Sequence, residues 1–134
     1  MSLAPFRVDY SPIVERPPIK WPNNARVAFW VSPNIEHYEY MPVFDGIRNP
    51  WPRSPYPDAR EYSYRDYGNR VGFWRMTEVL DKHDIKCCVS INEAVLEHYP
   101  EIRDALVERD YDFMSHGIYN TRYLSTLTED EERE

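Results

Sequence analysis

Between Asn69 and His83 the apolar positions Phe73, Met76, Val79 and Leu80 recur at helical spacing, which predicts a helix with one buried face. Directly after it, IKCCVSI (85–91) is an apolar run short enough for a strand covered on both faces. NEAVLEHY (92–99) reads as a short helix or a turn. PEIRDALVER (100–109) reads as a helix, with Pro100 at its first position and Ile102, Ala105 and Leu106 along one side. YDFMS (111–115) is the next short strand. Upstream, ARVAFWV (25–31) has the valine and aromatic content of a strand, bounded by PNN before it and Pro33 after it. Strand, helix, strand, helix, strand predicts an α/β fold built on a parallel sheet.

Two segments fall outside this rhythm. Residues 1–24 carry Pro5, Pro12, Pro17, Pro18 and Pro22, which rule out a long helix or a central strand and predict an irregular wrap around the body. Residues 38–67 hold six of the eleven tyrosines and five of the twelve prolines, with no clear period. So many aromatics argue against disorder, and a pocket lining or lid is the expected role, with a structural wrap as the alternative.

The 134 residues suffice for one domain with a real core. No apolar run approaches the ~20 residues a membrane span requires, and no signal-peptide pattern opens the chain, so the cytoplasm is the expected compartment. The net charge is −7, of which TEDEERE (128–134) carries −4. The nearly balanced remainder gives no electrostatic reason to bind nucleic acid or a membrane surface. Cys87 and Cys88 are neighbours in a strand and point to opposite faces, so they read as reduced core residues.

In parallel α/β sheets ligands sit at the carboxyl ends of the strands. That rule selects Glu36, His37, Asn92, Glu93, His116 and Asn120 before any chemistry is considered. Asn92 and Glu93 also fit a simple helix cap. His83 and His98 fall at helix ends and read as surface residues. Arg70 and Arg122 are secondary candidates for substrate binding, since a guanidinium clamps a carboxylate or ureido oxygen with its planar fork. A surface or helix-terminal role fits them as well.

The order of these motifs resembles the polysaccharide deacetylases with the NodB-homology domain, which include allantoinase-like amidohydrolases. NIEH (34–37) stands where that family has Thr-Phe-Asp-Asp, and HGIYN (116–120) where it has His-Ser/Thr-x-x-His. Between them the helix, strand, YPEI helix, strand and histidine follow the family layout over residues 25–134, and DYGNRVGFWR is most similar to the allantoinase-like branch. Asp84 and Asp110 occupy loop positions where the family usually has glycine, and aspartate tolerates a left-handed cap better than most residues.

The resemblance implies a distorted (β/α) barrel and hydrolysis of a non-peptide carbon–nitrogen bond. Glu36 would be the general base, and His37 and His116 would hold a divalent metal such as zinc. Asn120 stands where the second family histidine belongs and becomes a substrate-binding candidate. Hydrogen bonding of His37 and His116 to a substrate carbonyl is the alternative to metal binding. The implied substrate is a small amide or ureide, or an N-acetylated sugar.

Strand–helix barrels usually need about 250 residues. About three strands are legible here, and LSTLTEDEERE opens a helix, with Thr128 as cap and Glu131 three residues on. The expectation is therefore an N-terminal portion of the family's domain. By itself it would be inactive, and either homo-oligomeric or marginally stable. A degenerate, non-catalytic ligand-binding or oligomerising member is the rival reading.

Overall fold

The computed structural model describes residues 10–42, 57, 59–124 and 127–133. Residues 1–9 of the expected wrap and 43–56 of the tyrosine-rich segment lie outside the described residues. The described parts of the N-terminal segment include short 3-10 turns at Ile13–Glu15 and Pro22–Asn24.

The mixed α/β architecture is present. Three parallel strands, β1 (Asn34–Ile35), β2 (Cys88–Ile91) and β3 (Asp112–Ser115), lie side by side in chain order. Asn34 pairs with Ser90 and Ser90 with Met114; Ile35 pairs with Ile91 and Ile91 with Ser115. Both cysteines are free, with Cys87 buried and Cys88 partly so.

The first strand is displaced from its expected position. Pairing begins only at Val31, bridged to Cys87, and runs through Pro33 to Ile35, while Val27, Phe29 and Trp30 are exposed. Pro33 looked like a terminator. It sits instead inside the ladder, where its missing N–H is not required and its carbonyl accepts the Ser90 N–H at 3.0 Å.

Two helices, α1 (Ala59–Tyr67) and α2 (Phe73–Lys82), are joined without a break by a π-helical turn at Gly68–Gly72. The tyrosine-rich segment therefore ends as helix, not loop. α1 lacks an apolar stripe, and Asp66 is its buried residue. In α2, Phe73 and Leu80 are buried as expected, Thr77 is buried with them, and Val79 faces solvent.

After β2 come α3 (Glu93–His98) and α4 (Pro100–Glu108), which buries Ile102, Ala105 and Leu106. These residues, with Phe73 and Leu80, cover the sheet face bearing Ile35, Cys87, Val89 and Ile91, forming one continuous core. Asp84 and Asp110 close α2 and α4 with φ of 52° and 54°, so each aspartate takes the left-handed position expected of it. A final short helix, α5 (Glu129–Arg133), begins at the expected capping box. Its Glu131 carboxylate accepts the Thr128 N–H at 2.7 Å, and it buries no residue.

Leu106, fully buried between α4 and the sheet, should dominate stability. Leu106→Ala should cost about 2–5 kcal/mol in urea unfolding, whereas Val107→Ala on the exposed side should stay within about 0.5 kcal/mol.

Candidate functional site

Extending the strand register by one position brings Glu36, Asn92 and His116 into a single cross-strand row at the carboxyl ends of the sheet. The ladder bonds that carry the row are Asn92 N–H to Ile35 C=O at 3.1 Å and His116 N–H to Ile91 C=O at 3.0 Å. Side chains alternate along a strand, so this row shares a face with Asn34, Ser90 and Met114 and lies opposite the helix-covered core.

Asn92 holds the row together. It precedes α3 but makes no side-chain cap. The first donors of that helix are satisfied from elsewhere, Glu93 N–H by the Gly117 carbonyl at 3.0 Å and Ala94 N–H by the Ile118 carbonyl at 3.2 Å. The released Asn92 side chain, fully buried, bridges the two flanking loops. Its Oδ1 accepts the His37 N–H at 2.9 Å and its Nδ2 donates to the His116 carbonyl at 2.6 Å. Gly117 bends the chain away at a φ of 73°, a left-handed conformation that favours glycine.

The Glu36 carboxylate collects three protein groups. His116 Nε2 lies 3.3 Å from Oε1, while the Tyr38 hydroxyl and Asn120 Nδ2 donate to Oε2 at 2.8 and 3.0 Å. Asn120 also donates to the Tyr38 oxygen. Burial, followed by the hydrogen bond to Glu36, pushes the Tyr38 phenol up to about 12, so it stays a neutral donor across the physiological range. From the π-turn, buried Asn69 donates to the Glu36 backbone carbonyl at 2.8 Å. The extra residue of a π-turn is what re-aims a helix side chain in this way.

His37 is placed apart from Glu36 and His116. Its buried ring packs on His98, with centroids 4.7 Å apart, and on Tyr99 and Tyr119, each at 5.8 Å. His98 is thus exposed yet stacked on the His37 ring, with Tyr119 beside it. Burial, and then the nearby His98, hold the His37 imidazole below its ordinary value. Among the described residues no group of three or more His, Cys, Asp or Glu is placed to hold a metal ion.

Both candidate arginines are engaged by carboxylates. Arg70 pairs with buried Asp66, which also accepts the Tyr99 hydroxyl. Arg122 pairs with Glu39 at 2.8 Å and lies 4.2 Å over the Tyr119 ring. Burial raises the Glu39 carboxyl, but the hydrogen bonds from Arg122 and Thr121 outweigh it and hold the group below its usual range. Together with Asn120 N–H to His37 C=O at 3.1 Å, these contacts tie residues 120–122 to residues 37–39.

Beside Glu36 a cleft of about 260 Å³ opens between β1 and the α1–α2 helix, lined by Asn34, Glu36, Tyr38, Arg65, Asn69 and Met76. The Arg65 guanidinium lies 4.6 Å over the Tyr38 ring. Sequence reasoning passed over Tyr38, Arg65, Asn69 and Ser90. Tyr38, two residues after Glu36, was available from strand alternation; Ser90 was marked only as the one hydroxyl in an apolar run.

No family model matches the chain, and no solved structure matches it. A Schizosaccharomyces pombe protein described as a "Putative polysaccharide deacetylase" is 29% identical over 110 residues, covering 72% of this chain. The chain spans about a third of that curated relative's length, 34%. This supports a distant relationship to the polysaccharide deacetylases, and hence to a hydrolase family. Among the described residues no helix is long and apolar enough to cross a membrane.

The depressed His37 value has a signed consequence. The folded protein resists protonation that the unfolded chain accepts, so this stability is complete above about pH 6.5 and is lost as pH falls through the folded value. Histidine-resolved NMR should show His37 titrating below the ordinary histidine value of 6.5, and urea midpoints should fall between pH 7 and pH 5.

Proposed function

We propose that this chain carries part of the site of a carbon–nitrogen hydrolase, of the deacetylase or allantoinase-like kind, with Glu36 as general base. The observation that supports this best is a carboxylate at the carboxyl end of a parallel sheet, flanked by His116, Tyr38 and Asn120 and open to a cleft. Strand order that follows chain order, β1-β2-β3, fits a (β/α) barrel of the NodB-homology type, with residues 25–134 as its first part.

In this reading Glu36 removes a proton from a water that attacks the substrate carbonyl, and returns that proton to the departing nitrogen as the carbon–nitrogen bond breaks. A carboxylate offers about four lone-pair sites. Three are engaged here, which leaves one for the water. Tyr38 and Asn120 direct their donors at the carboxylate and at each other and so hold it in place, and Arg65 adds positive charge to the same cleft. The cleft is smaller than the ~300–1,000 Å³ typical of drug-sized ligand pockets, which favours a compact amide or ureide over a polymer segment.

These residues are a poor match for the divalent metal that the deacetylase resemblance implies. The side chains that meet are one carboxylate, one imidazole, one phenol and one amide, and the His37 ring belongs to an aromatic cluster. That set falls short of the three nitrogen, sulfur or carboxylate donors of a usual zinc site.

A second reading, a member that binds its ligand without turning it over, draws on the three protein groups already on Glu36. Assay of the protein on allantoin, cyclic imides and N-acetylated sugars separates the two. Glu36→Gln should lower turnover by about 10²–10⁴-fold with folding retained. An unchanged rate removes Glu36 from the mechanism. Ligand binding without turnover on any of these classes favours the second reading.

A further inference from the structure

His116 is held at both ring nitrogens. Nε2 lies 3.3 Å from Glu36 Oε1, and Nδ1 lies 3.0 Å from the Ser90 hydroxyl. The two neighbours are not equivalent. An ionised carboxylate only accepts hydrogen bonds, whereas a serine hydroxyl both donates and accepts. A neutral imidazole has one N–H and one lone pair to divide between them. Placing the N–H on Nδ1 would turn the Nε2 lone pair against a carboxylate oxygen, two acceptors facing each other. Placing it on Nε2 satisfies Glu36 and leaves Nδ1 to accept from serine.

We propose that Ser90 is a positioning residue that fixes His116 as the Nε2–H tautomer by donating its hydroxyl proton to Nδ1. The fold equips Ser90 for this. It sits in the central strand, 5% exposed, paired with Asn34 on one side and Met114 on the other. Its own N–H is taken by the Pro33 carbonyl, so the backbone beneath the hydroxyl is held by the ladder. Two residues on, Asn92 grips the His116 carbonyl, so ring and main chain of His116 are both anchored to β2. Alternation puts Ser90 on the face of the Glu36–Asn92–His116 row, directly below it.

The tautomer decides what His116 can do. With the proton on Nε2, the ring donates to Glu36 and holds one carboxylate oxygen in place while Tyr38 and Asn120 hold the other. The same tautomer has no lone pair on the nitrogen that faces the cleft-side carboxylate. His116 then acts as a hydrogen-bond donor to the base and not as a ligand to an electrophile. Serine is therefore the residue that chooses between the two roles open to this histidine.

The proposal rests on Glu36 and His116 being the reacting pair, but its test does not. Long-range imidazole ¹⁵N–¹H NMR at about two pH units above a free imidazole's 6.5 reports the tautomer whether or not the protein hydrolyses anything. In the unaltered protein His116 should show a protonated Nε2 and a non-protonated, hydrogen-bonded Nδ1. Ser90→Ala should shift Nδ1 away from its hydrogen-bonded position, and Ser90→Thr, which keeps the hydroxyl, should restore it. A protonated Nδ1 in the unaltered protein overturns the proposal even if neither variant folds. An unchanged His116 pattern in a folded Ser90→Ala overturns it equally.

Discussion

The site depends on one amide side chain that does not do the job its position suggests. Asn92 stands where an N-cap belongs, yet α3 has its first donors satisfied by the Gly117 and Ile118 carbonyls. A buried amide with free donors and acceptor must find partners or cost stability. Asn92 finds them in the His37 N–H and the His116 carbonyl, which are the first residues beyond the site row on β1 and within it on β3. Two loops that differ by nearly eighty positions in sequence thereby become one rigid rim.

Everything else at the rim is arranged around the charge that Asn92 positions. Glu36 is partly shielded and met only by donors, including a tyrosine kept neutral by burial. The other carboxylates nearby, Asp66 and Glu39, are each matched by an arginine, so they stabilise the frame and do not compete with Glu36. This division of labour turned two arginines that resembled substrate clamps into tethers. The cation lining the cleft is Arg65, half-buried over the Tyr38 ring and 3.8 Å from Glu61, on a helix whose sequence shows no apolar stripe.

The core helix faces, the two later strands, the left-handed aspartates and the terminal capping box were legible because each depends on local chemistry: apolar spacing, a tolerated φ, a Thr with a Glu three residues on. The carboxyl ends of β2 and β3 were legible for the same reason and located Asn92 and His116, whereas Glu36 follows a first strand that lies later in the chain than its apolar run suggested. What local chemistry does not encode is partnership across the chain. Whether Pro33 ends a strand or lies within its ladder is decided by which of its groups the neighbour needs, and β2 needs only its carbonyl. Likewise nothing in SINEA shows that the helix donors are satisfied twenty-four residues later, so Asn92 looked like a cap. The ring of His37 turns toward His98 and Tyr119 because alternation points it away from Glu36, a consequence of strand geometry that motif matching overlooks.

The central claim is that Asn92 joins the two loops through its side chain. Residue-resolved amide hydrogen exchange on the protein and on Asn92→Ala tests this most directly, because the His37 N–H is bonded to that side chain alone, whereas the Ser90 and His116 N–H groups are bonded to strand carbonyls. The account predicts that His37 exchanges about tenfold faster in the variant, with Ser90 protection retained. Equal protection of His37 in both proteins would contradict it.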